Sequence, residues 1–189
     1  MHRFPAATDF DGWVAQLANS ERRRRAKLYL REAGQPALPA VRRGMHHPKA
    51  IVRRLCASIL DHLADESALV DLVAALDDED AGVKKRALHA LACDRCKDTD
   101  CRPGEDLFVP RAVELLHHVD PDVRAGAIDT LGKVVDRRPD VADALADVAL
   151  HDRDPGLRGM ARHRLARTNW QPGSADPAST AASSTAPAS

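Results

Sequence analysis

Three cysteines lie close together in the middle of the chain with the spacing C-x2-C-x4-C, at Cys93, Cys96 and Cys101. Thiolates at such a spacing are typical ligands of a tetrahedral zinc ion, and a histidine often completes the set. His89 precedes Cys93 by four residues, so the two side chains are neighbours if the segment is helical. The pattern therefore predicts one structural zinc ion held by His89, Cys93, Cys96 and Cys101, and no other cofactor is expected.

Two alternatives to a zinc site remain open for the same cysteines. The thiols can form a disulfide or serve a redox role, or they can stay reduced without a ligand. The fourth zinc ligand is also open, because Asp94, Asp98, Asp100 and His117 are substitutes for His89. An iron–sulfur cluster is disfavoured, since the segment lacks the fourth cysteine that such a cluster needs.

The residues around the cysteines follow a repeat whose copies are spaced by 30, 31, 40 and 34 residues. Each copy places an aliphatic residue, a small residue four positions later and a leucine four positions after that on one face of a helix. The small column consists of Ala26, Cys56, Ala87, Ala127 and Ala161, and the leucine column of Leu30, Leu60, Leu91, Leu131 and Leu165. A small residue lets a neighbouring helix approach closely, so Cys56 is expected to be a buried packing residue.

A second helix of similar pattern is predicted between successive copies, at 36–44, 66–76, 107–118 and 141–150. Paired helices without strand signals predict an all-α fold, a right-handed α-solenoid of about four to five helix pairs. A closing helix is expected at 155–167, and a short helix at 9–17 is expected to cap the N-terminal end.

The predicted boundaries follow from these elements. Residues 1–19 hold the N-terminal capping helix, and residues 20–168 form the helical domain. The longest copy carries a cysteine-containing insertion at 93–105, where a surface loop is expected. Residues 169–189, which follow the helical domain, are rich in Ser, Ala and Pro and are predicted to be disordered.

Charged residues recur at fixed positions of the repeat. The turn before each helix has an acid in three of four copies, and this acid is expected to cap the helix; the column consists of Lys49, Asp80, Asp120 and Asp154. A basic column follows the aliphatic one and consists of Arg53, Lys84, Arg124 and Arg158. The two columns predict a ladder of ion pairs between adjacent repeats.

The pattern Asp-x-x-Val-Arg-x-x-x-Ala-x-x-x-Leu resembles the HEAT repeat, specifically the short bacterial type also seen in phycobilin lyase-like proteins, over about residues 20–167. The resemblance implies the fold and leaves the ligand open, because the recurring columns are packing positions. Among HEAT-like enzymes, deoxyhypusine hydroxylase carries iron on His-Glu pairs, and no His of this chain is followed by Glu. The GxxxxGK[ST], GxSxG and HExxH motifs do not occur either, so no catalytic activity is expected.

The charge is unevenly distributed along the chain. Residues 1–60 have 12 Lys/Arg against 4 Asp/Glu, a net +8, whereas residues 61–110 have 6 against 13, a net −7. HEAT-like DNA glycosylases use basic helical surfaces to bind backbone phosphates, so binding of DNA is the alternative function that this resemblance suggests. Its candidate residues are Arg22, Arg23, Arg24, Arg25, Arg42, Arg43, Arg53 and Arg54. The acidic neighbouring segment and the scarcity of aromatic residues weigh against it.

The sequence favours a HEAT-repeat scaffold or adaptor that binds an unidentified protein partner without catalysis. No apolar run approaches the roughly 18 residues needed to span a bilayer, and the N-terminal residues lack a secretory profile, so a cytoplasmic protein is expected. Neither a membrane nor a small-molecule substrate is expected as a partner. The second helices are the expected binding surface, with the candidate residues Arg42, Arg43, Asp71, Glu114 and Asp147.

Overall fold

The computed structural model describes residues 4–93 and 103–168. Cys96, Cys101, most of the 93–105 insertion and the 169–189 segment lie outside the described residues. Within the described ranges the chain consists of helices and connecting turns, without strands. The α-helices are α1 Phe10–Gln16, α2 Arg23–Ala33, α3 Leu38–Gly44, α4 Ala50–Leu63, α5 Glu66–Ala74, α6 Ala81–Ala92, α7 Glu105–Glu114, α8 Pro121–Leu131, α9 Pro139–His151 and α10 Pro155–Leu165.

The helices form two layers that stack along the chain. The first layer consists of α2, α4, α6, α8 and α10, in which each helix packs on the next. The second layer consists of α1, α3, α5, α7 and α9, and each of these packs against the first-layer helix that follows it. This architecture of five helix pairs confirms the predicted all-α solenoid. Short 3-10 turns lengthen two of the second-layer helices, at Ala75–Asp77 after α5 and Leu115–His117 after α7.

The predicted small and leucine columns form the core between the layers. All five small residues are fully buried, as are the leucines of α2, α4, α6 and α8. Leu165 is only partly buried, because no first-layer helix follows α10 in the described part of the chain. Burial of each leucine contributes about 1.5–3 kcal/mol, so the repeated columns supply much of the stability of the array.

Cys56 shows why the small column matters. Its Sγ would lie 2.5 Å from a Cβ placed on Gly44, and the Val14 Cγ1 would lie 2.9 Å from the same atom. Helix α3 therefore approaches α4 so closely that Gly44 has no room for a side chain. The prediction that Cys56 is a buried packing residue is confirmed, and burial raises the pKa of its thiol to about 12.

The acidic column caps the first-layer helices as predicted. The Asp80 carboxylate accepts a hydrogen bond from the Val83 amide at 2.9 Å. Asp120 and Asp154 cap α8 and α10 by accepting hydrogen bonds from the amides of Asp122 and Gly156. These contacts satisfy backbone N–H groups that the first turn of a helix leaves unpaired.

The ladder of ion pairs exists, but its acids are not the predicted ones. Arg53 pairs with Asp78, with Nε–Oδ2 and Nη2–Oδ1 distances of 2.7 and 2.8 Å. Arg124 pairs with Asp152 in the same two-point geometry, at 2.8 and 3.1 Å. Each acid lies two residues before the predicted column. The prediction missed this shift because the carboxylates of the predicted column are used to cap helices. These two pairs form the Arg–Asp rungs of the first layer.

Among the described residues, none of the helices has the length and apolar character needed to cross a lipid bilayer.

Candidate functional site

Three potential metal ligands meet where α6 ends. Asp61 comes from the last turns of α4, His89 from α6, and Cys93 is the residue at which α6 terminates. One ligand atom from each residue lies within 4.8 Å of the other two. Asp61 and Cys93 are 5% and 7% exposed, and His89 is half-buried. The cluster joins two consecutive repeats through side chains of three different ligand types.

The sequence predicted part of this cluster. The structure brings His89 and Cys93 together as expected, whereas Cys96 and Cys101 lie outside the described residues. Cys93 is buried, although the segment predicted as a surface loop begins at this residue. Helix α6 ends at Ala92, and Cys93 has extended backbone angles.

Asp61 was missed because it lies on another helix, far from the cysteines in sequence. A signal for it exists in the repeat. Its column otherwise holds Arg31, Ala92, Gly132 and Ala166, so a carboxylate there is an exception. At Gly132 an added Cβ would lie 2.4 Å from the Arg164 Cδ, which shows that this column faces the next first-layer helix closely.

Asp61 and His89 are electrostatically coupled. The His89 Nε2 lies 3.3 Å from the Asp61 Oδ2. The hydrogen bond to Asp61 raises the pKa of His89 above its ordinary value, although burial and the charge of Lys133 act in the opposite direction. A buried carboxylate needs such a partner, because an isolated charge is costly to remove from water.

The cluster is accessible from solvent through His89. The His89 side chain is 41% exposed. It lines a polar cavity of about 470 Å³ on the first layer, together with Arg54, Lys85, Arg86, Asp120, Asp122 and Asp129. An ion or small solute can therefore reach His89 without opening the core.

A second candidate surface is an apolar groove between α5 and α7. It has a volume of about 550 Å³ and is lined by Glu66, Leu69, Val70, Val73, Ala74, Gly104 and Leu107. Val70 is 70% exposed and Leu107 is 53% exposed. The sequence did not indicate this groove, because valines and leucines in a helical pattern normally predict core positions.

The charged residues predicted on the second layer are largely engaged with one another. Arg42 pairs with Asp71 at 2.5 Å, and Asp147 pairs with His151 at 2.8 Å. Glu114 pairs with Arg111. These side chains satisfy each other, so the apolar groove is the more distinctive feature of this layer.

Four of the eight arginines predicted to bind nucleic acid are also paired with acids. Besides Arg42 and Arg53, Arg43 pairs with Asp11 at 2.7 Å and Arg54 with Asp80 at 2.9 Å. The remaining four arginines, Arg22 to Arg25, surround the start of α2, and Arg24 and Arg25 are exposed. The positive charge expected over the whole N-terminal third is thus concentrated at α2.

The aromatic residues near α2 pack against one another. The Trp13 ring stacks on Tyr29 with a centroid distance of 4.2 Å and on Phe4 with a distance of 5.5 Å. Arg22 and Arg25 lie over the Phe4 ring. These rings therefore stabilise the N-terminal end of the array.

The model of the family of HEAT repeats matches residues 76–166. This part of the chain is similar to HEAT repeats. The resemblance predicted from the sequence is confirmed, and HEAT arrays are typical protein-interaction scaffolds. No curated protein sequence matches the chain.

Several solved structures share this architecture. One is a chain from the complex of CpcE and CpcF of phycocyanin lyase from Nostoc sp. PCC7120, with a TM-score of 0.69 and 16% identity, covering 84% of this chain and 99% of that one. Another is a designed armadillo repeat protein in complex with the peptide (KR)4, with a TM-score of 0.58 and 16% identity, covering 85% and 82%. An engineered protein matches with a TM-score of 0.54 and 21% identity, covering 83% and 79%. At these identities the likeness shows the fold alone.

Proposed function

We propose that the HEAT array is a non-catalytic scaffold that binds a protein partner in the apolar groove between α5 and α7. The observation that carries the proposal is the exposure of Val70 and Leu107, at 70% and 53%, within one groove. Contiguous exposed apolar surface on a soluble domain is typical of an interaction site. The similar structures include complexes with a protein and with a peptide, which agrees with a macromolecular partner.

The composition of the groove suggests the chemistry of the partner. Its lining is aliphatic apart from Gly104 and the carboxylate of Glu66. In the sequence, α5 lies in the acidic segment 61–110, which has 6 Lys/Arg against 13 Asp/Glu. An apolar segment flanked by basic residues complements both features, since opposite charges steer association and apolar contacts supply affinity.

Two valines provide a matched test of the groove. Val70 lies in the groove, whereas Val119 is equally exposed, at 75%, in the turn before α8. We expect Val70→Asp with Leu107→Asp to weaken partner binding strongly, because burying each native side chain contributes about 1.5–3 kcal/mol. Val119→Asp should leave binding unchanged.

The measurement is quantitative mass spectrometry of proteins that co-purify with each variant from native cells. Circular dichroism checks that all variants fold. A partner retained equally by the groove variant and the wild type would reject the groove as the binding site. If no protein is enriched above an unrelated control bait, the scaffold role itself fails.

The DNA-binding alternative depends on α2. The exposure of Arg24 and Arg25 favours it, since unburied guanidinium groups are suited to phosphate contact. We expect Arg24→Ala with Arg25→Ala to lower the affinity for duplex DNA and to reduce the salt dependence by about one unit of slope per lost phosphate contact. Arg42→Ala with Arg43→Ala is the control, because both side chains are already paired with acids. Fluorescence anisotropy at two salt concentrations measures the affinity for duplex DNA and its salt dependence. Salt-insensitive or absent binding would reject this alternative.

A further inference from the structure

The cluster at the end of α6 has the geometry of a metal site. Zinc binds oxygen and nitrogen ligands at about 2.0–2.2 Å, so two such atoms at a tetrahedral angle lie about 3.3 Å apart. The Asp61 Oδ2 and His89 Nε2 are separated by 3.3 Å. This separation is long for a charge-assisted hydrogen bond, which is usually about 2.7–2.9 Å. The hydrogen-bonded pair therefore also has a spacing that fits two ligands of one ion.

The ligand set selects the kind of ion. A thiolate is a poor ligand for magnesium or calcium, which prefer oxygen atoms. A mixture of carboxylate, imidazole and thiolate suits zinc. Binding requires the Cys93 thiol to lose its proton and His89 to be neutral at the coordinating nitrogen, so protons are released to solvent as the ion binds.

We propose that Asp61, His89 and Cys93 bind one zinc ion, with water as the fourth ligand. The ion links α4 to α6 and thereby joins two consecutive repeats. This assignment shares His89 and Cys93 with the site predicted from the sequence. It differs in placing Asp61, and not Cys96 and Cys101, in the ligand set.

The position of Asp61 in the repeat supports a specific role. The equivalent positions after α6, α8 and α10 hold Ala92, Gly132 and Ala166, whose small side chains let neighbouring helices pack without a polar group, and the one in α2 holds Arg31. Asp61 instead places a carboxylate, whose side chain is 7% exposed, against His89 of the next first-layer helix. A cation bound by both side chains would offset the cost of burying this charge.

Zinc affinity of the full chain, measured by competition with a chromophoric chelator, tests the assignment. We expect Asp61→Ala, His89→Ala and Cys93→Ser each to weaken binding by more than about 100-fold, which exceeds the effect of losing a group that only orients a ligand. The double variant Cys96→Ser with Cys101→Ser should bind within about threefold of wild type, because neither thiol belongs to the proposed set. Asp61→Asn repeats the first test with the side-chain volume preserved.

Two variants serve as matched controls. His163 occupies the repeat position of His89 and is exposed, and Cys56 is a buried thiol outside the cluster. His163→Ala and Cys56→Ala should leave zinc affinity unchanged. Cobalt substituted for zinc should show a thiolate charge-transfer band that Cys93→Ser removes and that the Cys96→Ser/Cys101→Ser variant retains.

Three results would overturn the proposal. The first is a wild-type chain that does not bind zinc. The second is a loss of less than about 100-fold in Asp61→Ala, which would make Asp61 an orienting group. The third is loss of zinc in the Cys96→Ser/Cys101→Ser variant, which would assign the ion to the cysteine segment.

Discussion

The three consecutive junctions between first-layer helices from α4 to α10 are held in two different ways. Arg–Asp rungs connect α4 to the turn before α6 and α8 to the turn before α10. At the junction between α6 and α8 the basic residue is Lys84, and His118 occupies the position of Asp78 and Asp152. The same helical repeat therefore packs with a buried ionic connection at two junctions and with a different pair of residues at the one between them.

The basic residue determines how many segments are connected at each junction. The Arg53 guanidinium contacts Asp78 of the next repeat and also donates to the carbonyl groups of His47 and Pro48 before its own helix. Arg124 does the same with Asp152, His118 and Val119. Lys84 donates to the Leu76 carbonyl at 3.3 Å. A planar guanidinium with five donors can join three segments, whereas an ammonium group is a single point of charge.

The largest contrast is expected from removing one acid of a rung. Asp152→Ala should lower the free energy of unfolding by about 3–5 kcal/mol, because Arg124 would remain buried without its partner. His118→Ala removes only the hydrogen bond that its Nδ1 accepts from the Asp120 amide and should cost about 0.5–1.5 kcal/mol. Urea unfolding followed by circular dichroism gives both values. Equal losses would mean that the rungs add no stability over the His118 junction.

Overpacking the small column should lower the free energy of unfolding equally in α6 and α8, although the ionic contacts of these helices differ. Ala87 and Ala127 are both fully buried in the small column. Ala87→Leu and Ala127→Leu should each cost about 1–3 kcal/mol through overpacking. Ala74→Leu, on the exposed face of α5, should stay within about 0.5 kcal/mol of wild type. A much smaller loss for Ala87→Leu than for Ala127→Leu would show that α6 packs more loosely than α8 against the second layer.

The α6–α8 junction can be converted into a rung. Lys84→Arg combined with His118→Asp restores the residue types found at the other two junctions. A double-mutant cycle should give a favourable coupling energy of about 1 kcal/mol in the free energy of unfolding. A coupling energy of zero would mean that the helices at this junction are too far apart for a rung.

The smallest expected difference is in how the stability of the rungs depends on acidic pH. Burial raises the pKa of Asp78 and of Asp152, but the hydrogen bonds from their arginines, and then from the backbone amides of Asp80 and Asp154, lower each pKa below its ordinary value. The folded state then binds fewer protons, so this contribution is complete above about pH 4 and is lost as the pH falls toward the folded-state pKa.

Asp78→Asn should accordingly flatten the decline of stability below about pH 4, measured as the slope of the unfolding free energy against pH. Glu79→Gln is the control, because the Glu79 side chain is 86% exposed. A slope identical to that of wild type would exclude Asp78 as a source of the acid sensitivity.

The regular recurrence of residue types made the fold predictable. The same regularity limited the prediction of the site. Columns such as Cys56 and Ala87 recur because every first-layer helix packs in the same environment, so one correct alignment places them all. Asp61, Val70 and Leu107 depart from the repeat or from its usual burial. A periodic pattern indicates which residues are equivalent, but it does not show which helices approach each other or where a side chain stays exposed.

The rungs were half predicted for a related reason. Sequence spacing identified Arg53 and Arg124 as the bases, but Asp78 and Asp80 both precede the same helix and differ by only two positions. Choosing between them requires knowing that Asp80 is held by the Val83 amide. Whether a carboxylate accepts from a backbone amide or from an arginine depends on the geometry of the turn, which the sequence does not show.

The distribution of the rungs has a mechanical consequence for the groove. Helices α5 and α7 pack on α6 and α8, so the groove between them spans the α6–α8 junction, which has no Arg–Asp rung. We expect bending of the array to concentrate at this junction, because deformation of a solenoid is carried by its individual interfaces. The width of the groove would then follow the local curvature of the stack. A ligand seated between Val70 and Leu107 would set the angle between the two halves of the molecule.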